Sequence, residues 1–75
     1  MGDGSNAVRT FLRIEGLSDD ARAAALAAAL KAVTGVIDAE VFVEDGLVSV
    51  LYDVRADVPT LVAAVTNAGY DARPL

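Results

Sequence analysis

The side chains that could do chemistry crowd around one glycine. Glu15, Asp19 and Asp20 flank Gly16, and carboxylates with nearby backbone carbonyls are the oxygen ligands a hard cation takes. Their spacing is not the alternating one of a calcium loop, and Arg22 sets a fixed positive charge beside them. Asp19 and Arg22, three positions apart, can pair across one helical turn, an exposed interaction of under about 1 kcal/mol. Elsewhere the chemistry is thin. The chain has no cysteine and no histidine, which removes disulfides, thiolate nucleophiles, zinc–cysteine sites and the usual imidazole base. The remaining carboxylates, hydroxyls, one lysine and two tyrosines form no base–nucleophile pairing, so the residues point to a non-catalytic protein without a cofactor.

Composition narrows the class further. Seventy-five residues make one domain with one core. The hydrophobic fraction is 55 %, but only 5 % is aromatic, so a thin, alanine-rich core must pack regularly. A net charge of −5 argues against nucleic acid, which demands a basic patch. No apolar run approaches the ~20 residues of a membrane span, so no direct membrane insertion is expected. Met1–Ala7 is polar and glycine-rich, reads as a disordered leader, and lacks the pattern of a signal peptide. Residues 8–75 then form the domain, and a cytoplasmic location is expected.

The elements that must position these groups are legible in order. Val8–Ile14 has strand character, with Val8, Thr10, Leu12 and Ile14 on one face. After Gly16, Ser18 is a good N-cap, with Asp19 and Asp20 in the first turn of an alanine-rich helix. Leu26, Leu30 and Val33 form its narrow core stripe, and Gly35 ends it. Val36–Glu44 and Leu47–Asp53 are strands, with Val48, Val50 and Tyr52 sharing a face of the second. They join as a hairpin through Asp45-Gly46, a pair suited to a type I′ turn. Asp57 caps a second helix, with Pro59 in its first turn and Leu61, Ala64, Val65 and Ala68 as its stripe. Gly69 stops it, and Tyr70–Leu75 is a short last strand. The order β-α-β-β-α-β predicts an α+β, ferredoxin-like βαββαβ open-faced sandwich. Two helices lie on one face of a four-stranded antiparallel sheet, with strands one and three central.

Four segments resemble the heavy-metal-associated (HMA) domain family: T-F-L-R-I-E-G-L at Thr10–Leu17, A-L-K-A-V-T-G-V at Ala29–Val36, V-S-V-L-Y-D at Val48–Asp53, and N-A-G-Y-D-A at Asn67–Ala72. All four stand in register with that family's pattern of G-M-x-C-x-x-C, A-L-x-x-x-x-G-V, V-x-Y-D and A-G-Y. The resemblance implies a soft-metal loop whose two cysteine positions are Asp19 and Arg22 here, and whose methionine position is Leu17. Soft ions select thiolate, and neither carboxylate nor guanidinium replaces it. It also implies that Gly16, Leu17 and Tyr70 support the loop; the residues themselves suggest a structural role for Tyr70, its ring packed against Leu17 and its hydroxyl in water. No metal is expected at the loop, and Glu15, Asp19 and Asp20 are the hard-ion candidates.

The opposite sheet face is the other candidate surface. By alternation Phe11, Arg13, Phe42 and Leu51 point away from the helices, and the three apolar members would form a stripe ringed by Arg13, Glu40 and Glu44. Exposed apolar patches mark partner sites. The expectation is a protein-interaction or regulatory module linked to metal transport, either the N-terminal domain of a metal-transporting P-type ATPase or a chaperone-like protein. A protein partner is expected, with the acidic charge favouring a basic one, and weak homo-oligomers through the sheet face. The same motifs also fit a metal carrier using oxygen ligands or a partner-shared site, or a designed or cysteine-removed variant of a copper-binding parent.

Overall fold

A computed structural model describes residues 7–75, and the expected leader at Met1–Ala7 lies outside them except for Ala7. The elements run β1 Val8–Glu15, α1 Asp20–Lys31, β2 Val36–Phe42, β3 Leu47–Tyr52, α2 Val58–Asn67 and β4 Asp71–Pro74. The sheet is antiparallel throughout, in the order β2-β3-β1-β4, with β1 and β3 central as expected.

Alternation assigns the faces. Leu12 and Ile14 of β1, Ala39 of β2, and Val48 and Val50 of β3 point inward and meet Leu26, Leu30, Leu61 and Val65 of the helices in one core. The largest of these are wholly buried, each contributing roughly 1.5–3 kcal/mol relative to exposure. Val8 shares their parity but sits at the strand's start and is 52 % exposed. α1 is alanine on most sides, so Leu26 and Leu30, with Ala23, decide which side faces the sheet. In α2, Leu61 and Val65 are buried and Ala64 is half-buried, while Ala68 of the expected stripe is the exposed C-cap.

Three local expectations are corrected. The N-cap of α1 is Asp19, not Ser18: its Oδ1 accepts the Arg22 N–H at 2.8 Å. A carboxylate forms a stronger, charge-assisted bond with that amide than a hydroxyl does. The hairpin is not a two-residue type I′ turn, because no described non-glycine residue has positive φ and Asp45 therefore cannot take the first position. Instead Val43–Gly46 forms a longer loop closed by Phe42↔Leu47, with Asp45 N–H donating to Phe42 O and Gly46 N–H to Val43 O. The Gly46 carbonyl accepts from Ile14 N–H at 2.7 Å, tying the hairpin tip to β1. Finally, Gly35 lies beyond the end of α1, whose C-cap is Ala32. Its carbonyl accepts from Asp53 N–H, and a Cβ there would lie 2.8 Å from the Ala56 nitrogen. Gly35 thus lets the α1–β2 and β3–α2 connections touch.

No described helix is long and apolar enough to cross a membrane.

Candidate functional site

β1, α1 and the end of α2 build the loop. The chain leaves β1 through Gly16, and Asp19 starts α1 from extended backbone (φ −156°, ψ 172°). Asp19 closes the first turn twice: its side chain accepts from Arg22 N–H and its carbonyl from Ala23 N–H at 3.1 Å. Asp19 and Arg22 are therefore joined through a backbone amide and not as an ion pair. Among the described residues the ion pairs are Lys31–Asp38 and Arg55–Asp53.

Tyr70 is placed by the way α2 ends. Gly69 N–H donates to Thr66 O at 3.0 Å and Tyr70 N–H to Val65 O at 3.2 Å, the paired bonds of a Schellman motif with glycine in the left-handed position. The motif sets Tyr70 against the core, where it and Leu17 are both half-buried. A Cβ on Gly16 would lie 3.7 Å from the tyrosine Cδ1, so loop and ring are neighbours. Glu15, Gly16, Thr66, Gly69, Tyr70 and Asp71 line an open depression of about 440 Å³ at this corner.

The hard-ion candidates are not gathered there. Glu15 opposes Asp71 across the β1–β4 ladder, Asp19 is the cap, and Asp20 borders a separate depression with Val41–Asp45. Among the described residues no group of three or more acidic, histidine or cysteine side chains could hold a metal. Asp19 and Arg22, which stand at the thiolate positions implied by the resemblance, do not fit a soft cation. One is a hard oxygen ligand already bonded to an amide, the other a fixed cation.

On the open face the structure redraws the apolar stripe. Phe11 is 42 % and Phe42 37 % exposed, and Leu51 is half-buried. They do not form a continuous band, because Ser49 stands between Phe11 on β1 and Glu40 on β2. Ser49 is 2 % exposed and accepts a hydrogen bond from Arg9 Nη1. Arg13 opposes Arg73 directly, and the row at the end of the ladder is Glu15 opposite Asp71. The face thus carries rows of opposite sign beside Phe11. Arg9 was legible by its parity with Phe11 in β1, whereas Arg73 and Asp71 required the β1–β4 register.

Comparison with known proteins agrees with this geometry. The pattern of the heavy-metal-associated domain matches residues 11–71. Among solved structures the chain is similar to the CopZ metallochaperone, at 34% identity and a TM-score of 0.85, over 88% of this chain and 100% of that one. It is also similar to the N-terminal domain of PacS from Synechocystis PCC6803, at 31% identity and a TM-score of 0.83, over 91% of this chain and 97% of that one. A third is the N-terminal domain of a potential copper-translocating P-type ATPase from Bacillus subtilis, solved in the Cu(I)-loaded state. It shows 29% identity and a TM-score of 0.86 over 91% of this chain and 86% of that one. No curated protein matches the sequence. The chain belongs to the heavy-metal-associated domain family, as a member with no cysteine at either loop position.

Proposed function

We propose that this chain is a non-catalytic interaction or regulatory module of metal transport that does not hold a soft metal at its loop. The observation that carries the reading is the Asp19 cap: the side chain at the first thiolate position bonds the amide of Arg22, the residue at the second. The loop is then ordered by its own hydrogen bond, with no ion required. Family membership supports the link to metal transport, and the similar chains include a metallochaperone and the N-terminal domain of an ATPase. By that likeness the host is an ATPase N-terminus or a chaperone-like protein acting in the cytoplasm, docked to a protein partner.

The test is a titration of the protein with Cu(I), Zn(II) and Ca(II), following the backbone amides of Gly16–Arg22 and Asp71. The expected result is no saturable shift at micromolar metal. Saturation by Cu(I) would overturn the reading. Saturation by Zn(II) or Ca(II) at Glu15 and Asp71 would replace it with an oxygen-ligand metal carrier.

A further inference from the structure

The charges on the open sheet face have a pattern that selects an occupant. Arg9, Phe11, Arg13 and Glu15 follow one another on the outward side of β1, and all four are exposed. Beside them, Arg73 opposes Arg13 and Asp71 opposes Glu15. Like charges directly opposite on neighbouring strands destabilise a sheet. Among the described residues none of Arg13, Arg73, Glu15 and Asp71 is in an ion pair. A polyanion would meet the acidic row, and a polycation would meet the arginines. The surface that fits is one with the same rows reversed.

We infer that this face binds a second copy of the chain, sheet against sheet, with the two β1 strands antiparallel across a two-fold axis over Leu12. Read in reverse, the stripe is its own complement: Arg9 meets Glu15 of the second copy, and Phe11 meets its Arg13, each contact occurring twice as two-fold symmetry demands. Stacked sheets lie about 10 Å apart, within reach of arginine and phenylalanine side chains from both sides. Arg13 over the ring of Phe11 is a cation–π contact, and it places an aromatic surface beside the unrelieved Arg13–Arg73 row. The net charge of −5 opposes the approach, but screening limits that repulsion to about 10 Å at 0.1 M salt. The dimer is therefore weak and reversible. The inference rests on the interaction-module reading and names the occupant which that reading leaves open.

The experiment is sedimentation of the full chain in about 0.1 M salt with chelator, so that its outcome does not depend on metal and is separate from the titration. Wild type is expected to shift from monomer toward dimer as concentration rises to about 1 mM, the weak end of measurable association. Arg9→Glu and Glu15→Arg are each expected to stay monomeric, since each sets like charges against each other twice. An equimolar mixture of the two variants is expected to dimerise again. One end of the mixed dimer pairs the introduced glutamate with the introduced arginine, and the other pairs native Glu15 with native Arg9. A wild type that stays monomeric would overturn the proposal, as would single variants that associate like wild type or a mixture that fails to associate. Amide shifts in wild type alone give a readout that does not depend on the variants. With concentration they should move at Arg9–Glu15 and Arg73; movement confined to α1 and α2 would equally overturn it.

Discussion

Asp19 Oδ1 accepts the backbone N–H of Arg22 at 2.8 Å, a direct bond between the two residues that the resemblance sets at the thiolate positions. The same contact starts α1 and engages one carboxylate oxygen of Asp19.

Removing that cap has a defined cost. Asp19→Ala is expected to destabilise the domain by about 1 kcal/mol, lowering Tm by roughly 4–8 °C for a domain of this size. Asp19→Asn, which keeps an acceptor, should lose much less. Thermal unfolding followed by circular dichroism distinguishes the two, and equal losses would show that the cap is not what orders the turn.

Restoring thiolates should create the missing chemistry. The double variant Asp19→Cys with Arg22→Cys is expected to bind Cu(I), because thiolate is the ligand soft ions select and the loop is already in place. Competition with a chromophoric Cu(I) chelator measures it. A folded double variant that leaves the chelator loaded would count against the alignment of Gly16–Arg22 with the metal loop.

Two glycines separate backbone conformation from contact. Gly69→Ala meets nothing within 4 Å and bears only the positive φ of 100°, a loss of about 1–2 kcal/mol. Gly35→Ala has a similar φ but also drives a Cβ to 2.8 Å from the Ala56 nitrogen and 2.9 Å from the Arg55 carbonyl carbon. It should therefore cost clearly more than Gly69→Ala, and urea unfolding of both variants gives the comparison.

The cap of α2 makes part of the stability pH-dependent. The Thr60 hydroxyl at 2.6 Å, followed by its N–H at 2.9 Å, holds the Asp57 carboxyl below its ordinary value of 3.8. A depressed folded pKa gives stability that is present above the unfolded value and lost as pH falls through the folded one. Wild type should exceed Asp57→Asn at neutral pH, with the gap closing only below about pH 4. Urea midpoints measured across that range check the sign. Asp53, lowered by its side-chain bonds to Arg55, adds to the same acid loss in both proteins.

Sequence alone determined the architecture because its determinants are local. The two-residue alternation of Leu12 and Ile14, the Leu26–Leu30 stripe, the Asp57 cap and the Gly69 stop each act within a few residues, and each stands where its residue type puts it. It also determined that the loop holds no thiolate. The structure decided which of Ser18 and Asp19 caps α1, since both have suitable side chains and only the observed backbone, extended at Asp19 with its Oδ1 on Arg22 N–H, distinguishes them. It decided the sheet face as well. Periodicity says which way a side chain points but not what lies beside it, so Arg13 opposite Arg73, Glu15 opposite Asp71 and Ser49 bonded by Arg9 appear only once distant strands are in register.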